Sequence, residues 1–238
     1  MRHADFLTAI GKQCDSLRAA ALTAGPDAEV PSCPGWTVSR LVAHLARVQS
    51  WVRKSLADPS GRDVKADRPP QAWDELLPWW DEQRTEMIEG LTDPDVPAWL
   101  PFTRYPQVTG SWARRQAHEA AIHRLDAELA CGPAPSLLFD SEFAADGIDE
   151  LLAWLVPTRG DWSQSRAAGS VVVHAADAGR TWTVVLEPGS APRVEDGGLD
   201  GDVVIAGTAD AVYRRVWRRP SEAKVTGNTA LLEPLAGP

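Results

Sequence analysis

Cysteine is scarce in this sequence: only three of the 238 residues are cysteine, and no two of them stand in a CxxC pair. An odd number of widely spaced cysteines predicts neither a disulfide framework nor a zinc knuckle built from thiolates. Basic residues are also in deficit, because 24 Lys and Arg stand against 33 Asp and Glu, for a formal net charge of −9. Such a chain lacks the basic face that binding to nucleic acid or anionic lipid requires, so neither is a predicted partner.

Long hydrophobic runs are missing as well. No apolar stretch approaches the roughly 18–20 residues that span a bilayer, and residues 1–14 carry charges where a signal peptide would need its apolar segment. These absences predict a cytoplasmic protein that does not insert into a membrane. With 44% hydrophobic and 24% charged residues, the sequence has the balance of a folded globular protein of one large or two modest domains.

Hydrophobic periodicity predicts helices in the first part of the chain. Apolar residues recur at three- and four-residue steps in five segments, which lie at 6–22, 38–56, 71–91, 111–130 and 140–155. Thr37 has a side chain suited to cap the second helix, and Gly132-Pro133 is a common stop signal after the fourth. The first part of the chain is therefore predicted to be helical.

The second part of the chain changes to a period of two. The β-branched runs Ser170–His174 and Thr181–Leu186 are separated by a turn at 177–180, which predicts a β-hairpin. Further short segments predict strands at 193–195 and 202–205 and a helix at 210–217. The sequence therefore predicts an α+β protein, with a helical domain at 1–156 and a small α/β domain with a mainly antiparallel sheet at 157–238.

The segment 112–126 holds three residues that metals favour, His118, Glu119 and His123. It differs from an HExxH motif because its second histidine comes one residue late. At about 100° per residue, His118 and His123 lie about 140° apart around a helix and cannot bind one ion, which excludes a zincin site. Glu119 and His123 are only about 40° apart and can converge. His118 is then predicted to face solvent or to support the site from outside.

A third ligand is needed, and His44 is the best candidate. It stands three residues after Leu41 and four before Val48, which places it on the inward stripe of the second helix. With Glu119 and His123 it would supply two imidazoles and one carboxylate inside a helix bundle, where such folds hold metals. This donor set suits Zn²⁺, although Ni²⁺, Co²⁺ or Fe²⁺ would bind as well.

The same residues also have a purely structural interpretation. His44 can be a hydrogen-bonded core histidine, and Glu119 with His123 can be an ordinary helix pair four residues apart. Asp126 follows His123 by three residues and could orient its ring, as metal-bound imidazoles require. It could equally pair with Arg124 or face water.

Three segments, 30–45, 112–126 and 143–152, resemble the mycothiol-dependent maleylpyruvate isomerase family in their order and spacing. The resemblance implies a DinB-like metal-binding four-helix bundle followed by a small C-terminal α/β domain. It also implies that His44, Glu119 and His123 hold a divalent metal, usually zinc, and that mycothiol is the thiol cofactor.

A late arginine helps to bind or polarise substrate in that family. The segment Val216–Pro220 resembles that region, and Arg219 is the position that the resemblance assigns to this catalytic role. The family usually shows Gly-Arg there, whereas this chain has Arg218-Arg219. A solvated helix end would carry the same arginines.

The chemistry implied by the resemblance starts from a thiol. A metal-bound thiolate adds to an electrophilic carbon of a small molecule. If the adduct rotates and expels the thiol, the reaction is a cis–trans isomerisation; if the adduct is kept, it is an S-transfer. Two other classes remain open, a non-catalytic metal-binding module and a hydrolase that uses metal-bound hydroxide without any thiol.

Overall fold

The computed structural model describes residues 1–58, 60–61, 63–133, 138–195 and 198–235. The chain forms two compact units, Met1–Pro101 with Tyr105–Ala134, and Phe102–Arg104 with Pro135–Pro238. The first unit is helical and the second contains a sheet, so the predicted α+β class is confirmed. Among the described residues, none of the helices has both the length and the apolar character needed to cross a membrane.

The first unit is built from long helices close to their predicted positions. Its α-helices are α1 His3–Ala24, α2 Val38–Ala57, α3 Trp73–Gly90 and α4 Thr109–Cys131. Thr37 caps α2 as predicted, because its Oγ1 accepts a hydrogen bond from the backbone N–H of Arg40 at 3.3 Å. Gly132 follows the last residue of α4, which confirms the stop signal there.

Small side chains make up much of the buried surface of α4. Its five buried alanines allow neighbouring elements to pack closely against the helix; they are Ala113, Ala117, Ala120, Ala121 and Ala127. His118 lies on the side of α4 that meets α1, with its ring 6.3 Å from that of Phe6. It is 0% exposed, so the expectation of a solvated His118 is wrong. The helical phase that separates it from His123 turns it into the core.

Cys14 of α1 is enclosed in the same core. Gln49 donates a hydrogen bond to its sulfur at 3.4 Å, and burial raises the pKa of the Cys14 thiol to about 11. Cys131 is exposed, and both residues are free thiols. Cys14 is therefore protected from reagents in solution, whereas Cys131 is accessible to them.

We expect Cys14 to resist a disulfide reagent at pH 8 in the native protein and to react only after unfolding. The thiolate is the nucleophile that attacks the disulfide of the reagent, and a pKa of about 11 leaves about one Cys14 side chain in a thousand ionised at that pH. Timed labelling followed by peptide mapping measures this and separates Cys14 from the other two free thiols, Cys33 and Cys131. Native labelling of Cys14 as fast as that of Cys131 would contradict the expectation.

The second unit is a five-stranded sheet with helices. Its elements, in chain order, are α5 Ser141–Asp149, β1 Gly169–Ala175, β2 Arg180–Leu186, β3 Arg193–Glu195, β4 Val203–Gly207, α6 Ala209–Val216 and β5 Lys224–Gly227. The strand order is β3-β2-β1-β4-β5. Neighbouring strands run antiparallel except β1 and β4, which are parallel, so the predicted hairpin and the mainly antiparallel sheet are confirmed.

One buried carboxylate organises the packing of α6. Oδ1 of Asp210 accepts hydrogen bonds from the backbone N–H groups of Leu138 and Phe139, at 3.2 Å and 2.9 Å. Its Oδ2 forms an ion pair with Arg214 at 2.7 Å, one turn along the same helix. Asp210 is 1% exposed, so this carboxylate joins the segment before α5 to α6 inside the core.

The division of the chain by contacts differs from the boundary predicted between residues 156 and 157. By contacts the two units separate around residue 134, and α5 belongs with the sheet. Phe143 of α5 packs edge-on against Tyr213 of α6, with ring centroids 6.3 Å apart. Periodicity identifies the type of an element but not its packing partner, so the helical pattern of α5 did not indicate its contact with α6. The boundary after residue 156 stays a prediction.

Candidate metal centre

His44 is presented on α2 beside the loop that precedes this helix. The loop folds back on itself through a bridge between Glu29 and Thr37 and a hydrogen bond from Val30 N–H to Trp36 O at 3.0 Å. This places the Trp36 ring 5.1 Å from the His44 ring. His44 is therefore positioned by a helix and by the loop that caps it.

The structure brings His44, Glu119 and His123 together. Oε1 of Glu119 lies 3.3 Å from Nε2 of His44 and 3.3 Å from Nε2 of His123. One ligand atom from each residue falls within 4.8 Å of the others. At metal–ligand distances of about 2.0–2.1 Å, adjacent donors around tetrahedral zinc are about 3.3–3.4 Å apart, which matches both separations between Glu119 and the histidines.

Asp126 supports His123 from behind. Its Oδ2 lies 3.0 Å from Nδ1 of His123, which donates the hydrogen bond because a carboxylate only accepts. Asp126 also accepts hydrogen bonds from Ser32 Oγ at 2.5 Å and Cys33 Sγ at 3.5 Å, and it is 0% exposed. Of the three roles open to Asp126, the structure shows the one that orients His123. Arg124 pairs with a different carboxylate.

Arg115 donates a hydrogen bond to Oε2, the second carboxylate oxygen of Glu119. Its Nη2 lies 3.1 Å from Oε2, and its side chain is 4% exposed. The two oxygens of Glu119 thus face different partners, Oε1 towards the imidazoles and Oε2 towards the guanidinium. The sequence analysis missed this contact, although the four-residue spacing from Arg115 to Glu119 is a recognisable helix-pair signal.

The charges at the site shift the pKa values of both Glu119 and His123. Burial raises the pKa of Glu119, but hydrogen bonds from His123 and His44 and the charges of His123 and Arg115 hold it well below its usual range. Burial lowers the pKa of His123, but its hydrogen bonds to Asp126 and Glu119 outweigh this and raise it to about 9. A proton on His123 therefore neutralises part of the carboxylate charge, and a bound cation would replace that proton.

Trp36 packs against both imidazoles and limits their freedom. Its ring is stacked with that of His123 at 6.4 Å and tilted against that of His44 at 5.1 Å. The guanidinium of Arg40 lies over the Trp36 ring, 5.0 Å from its centroid. The ring orientations are therefore held by aromatic packing as well as by hydrogen bonds.

Arg219 lies in the second unit, just after α6. Its Nη1 donates a hydrogen bond to the carbonyl of Trp217 at 2.7 Å, and its backbone N–H donates to the carbonyl of Arg214 at 2.9 Å. Arg218 is exposed and pairs with Glu233 at 2.9 Å, whereas Arg214 is buried, so the segment is not a uniformly solvated helix end. A substrate role for Arg219 stays a prediction.

Family models match both parts of the chain. The mycothiol maleylpyruvate isomerase (MDMPI) N-terminal domain matches residues 7–128, and the MDMPI C-terminal domain matches residues 142–234. The chain belongs to the mycothiol maleylpyruvate isomerase family. Membership in this family identifies it as an isomerase that uses mycothiol. The resemblance inferred from the sequence is confirmed.

Solved structures agree with this MDMPI assignment at the level of the fold. A crystal structure of the mycothiol-dependent maleylpyruvate isomerase has a TM-score of 0.57, and that of a histidine-to-alanine mutant has 0.63. Each is 14% identical in sequence, and each match covers 95% of this chain and 93% of the other. No curated protein sequence matches the chain significantly.

Proposed function

We propose that this protein is a metal-dependent cis–trans isomerase that uses mycothiol to isomerise a small electrophile of the maleylpyruvate type. The observation that carries the proposal is the convergence of His44, Glu119 and His123 in a member of this family. A structural zinc site is normally closed by four protein ligands, whereas catalytic sites keep a position open. Among the described residues, this trio is the candidate cluster, and three ligands favour catalysis.

The chain's own residues define how a cation would be held. Nε2 of both histidines and Oε1 of Glu119 would bind it, and Zn²⁺ is the ion that this donor set suits best. When bound, the ion supplies a Lewis acid that lowers the pKa of the mycothiol thiol, about 8.5 for a free thiol, so that thiolate predominates at neutral pH. Asp126 holds the Nδ1 proton of His123 and thereby directs Nε2 towards the ligand position.

Mycothiol, when bound, would supply a nucleophilic sulfur for reversible addition to the conjugated double bond of the substrate. Addition would make that bond single and free to rotate, and elimination of the same thiolate would restore it. The thiol would therefore be recovered unchanged, and the product would have the composition of the substrate.

The test is an assay of zinc-loaded protein with maleylpyruvate in the presence and absence of mycothiol. We expect conversion to the trans isomer that requires both metal and thiol, with all the mycothiol recovered, as measured by ultraviolet absorbance and NMR. A persistent thioether adduct would mean S-transfer, and turnover without thiol would mean metal-hydroxide chemistry. Absence of turnover in the folded, zinc-loaded protein would favour a non-catalytic module, and each of these three results overturns the proposal.

Replacing Asp126 by alanine is expected to weaken zinc binding about 10–100-fold, because the imidazole of His123 loses the acceptor that fixes its ring. Competition with a chromogenic zinc chelator at pH 7.5 measures the change. Asp126→Asn keeps the shape of this buried side chain, and thermal unfolding of both variants reports whether they fold. Glu128→Ala is the matched control, since Glu128 lies on the same helix and pairs with Arg124. Wild-type affinity in both folded Asp126 variants would refute the role.

A further inference from the structure

The carboxylate of Glu119 is divided between two environments. Oε1 is equidistant from the two imidazole Nε2 atoms, at 3.3 Å from each. Oε2 is turned away from them and lies 3.1 Å from Nη2 of Arg115. A carboxylate can bind a metal through one oxygen or through both, and the second mode takes up an additional coordination position. The partner of Oε2 therefore matters for what else the metal can bind.

Arg115 is well placed to control that choice. It precedes Glu119 by four residues on α4, so both side chains project from one face of a rigid helix. The guanidinium is 4% exposed, which shields its hydrogen bond to Oε2 from competition with water. A charge-assisted hydrogen bond in such surroundings is stronger than one between neutral groups. Binding of both carboxylate oxygens to a cation would have to break it.

We propose that Arg115 is a positioning residue that engages Oε2 of Glu119, restricts Glu119 to a single donor oxygen, and so keeps a metal position open for the thiolate of mycothiol. The inference rests on the proposed function, because it needs a metal at the trio. Arg115 itself would not contact the metal. It would control the number of metal ligands and the affinity for mycothiol, and both can be measured without turnover.

Cobalt substitution tests the proposal spectroscopically. Four-coordinate Co²⁺ absorbs visible light strongly, whereas five- and six-coordinate Co²⁺ absorb weakly, so absorbance reports coordination number. We expect wild-type protein loaded with Co²⁺ to show the strong bands. In Arg115→Met the absorbance should be at least about threefold lower, because both oxygens of Glu119 would bind the ion. Titration with mycothiol, followed by the sulfur-to-cobalt band, should show about tenfold weaker binding in the variant.

Two further variants make the comparison specific. Arg115→Lys retains the charge without the guanidinium fork, and its spectrum should lie between those of the wild type and Arg115→Met. Arg124→Met is the matched control, because Arg124 lies on the same helix and pairs with Glu128 four residues on, outside the trio. Its spectrum and mycothiol affinity should equal those of the wild type. Thermal unfolding establishes that each variant is folded, and Arg115→Lys carries the test if Arg115→Met is not.

The outcomes separate this inference from the proposed function. If wild-type protein binds no Co²⁺ or Zn²⁺, the metal-dependent function itself fails. If the wild type binds Co²⁺ with strong absorbance and the folded Arg115 variants match it in spectrum and mycothiol affinity, the role of Arg115 is overturned and the function stands. Weak absorbance in the wild type before thiol is added would also overturn it, because the resting ion would then have more than four ligands and no position would be kept open.

Discussion

Replacing His44 with alanine is expected to leave the purified protein without bound zinc. The wild type should contain about one zinc ion per chain after dialysis, held by two imidazoles and one carboxylate. Loss of one of three ligands should reduce affinity by more than the about 10–100-fold produced by changes behind a ligand. Thiol-dependent turnover should disappear with the metal. Elemental analysis of both proteins, prepared side by side, measures the difference.

His174→Ala is the control for this experiment. His174 lies in the second unit, where its Nδ1 is 2.9 Å from Oγ1 of Thr181, and it has no place in the trio. The control should retain full zinc content. Stoichiometric zinc in the His44 variant would remove His44 from the site. Absence of zinc from the wild type even after zinc is added back would leave the bundle without metal chemistry.

The second large effect is expected from Asp210→Ala, which should destabilise the protein by about 3–5 kcal/mol. This carboxylate is buried and forms an ion pair at 2.7 Å with Arg214, whose side chain is buried as well. It also accepts hydrogen bonds from the backbone N–H groups of Leu138 and Phe139. Alanine removes all three contacts in surroundings where water cannot replace them, so the cost of desolvation is no longer offset.

Urea unfolding followed by circular dichroism and fluorescence measures the loss for Asp210. Asp210→Asn separates the contributions, because the amide retains an oxygen that can accept the backbone bonds but removes the charge that faces Arg214. It should lie between the wild type and Asp210→Ala. Glu222→Ala changes an exposed acidic residue of the same unit and should be neutral within about 0.5 kcal/mol. An unchanged unfolding midpoint in Asp210→Ala would show that the buried pair contributes no net stability.

Local sequence rules succeeded where one element determines the outcome. The bounds of α2 follow from its apolar steps and its Thr37 cap, and the β1–β2 hairpin follows from two β-branched runs around a turn. The proximity of Glu119 and His123 follows from helical geometry alone, since they are four residues apart. His44 required a further argument, and its place on the inward stripe of α2 was sufficient to bring it into consideration.

Contacts between distant segments were beyond those rules. Ser32 and Asp126 are 94 residues apart, and nothing in either local pattern indicates their hydrogen bond. The assignment of α5 to the sheet unit depends on the packing of Phe143 with Tyr213, which periodicity does not encode. Arg115 is a different case, because its signal lies within one helix but is shared by many solvated ion pairs. Only its burial distinguishes it.

The separation in sequence of the candidate ligands has a thermodynamic consequence. His44 and Glu119 are 75 residues apart, so a cation held between them would act as a reversible crosslink between α2 and α4. A ligand that binds only the folded state adds about 2.7 kcal/mol of stability when its free concentration is 100 times its dissociation constant. The stability of the helical unit would then depend on the free metal concentration around it, and metal supply would govern the persistence of the fold as well as its chemistry.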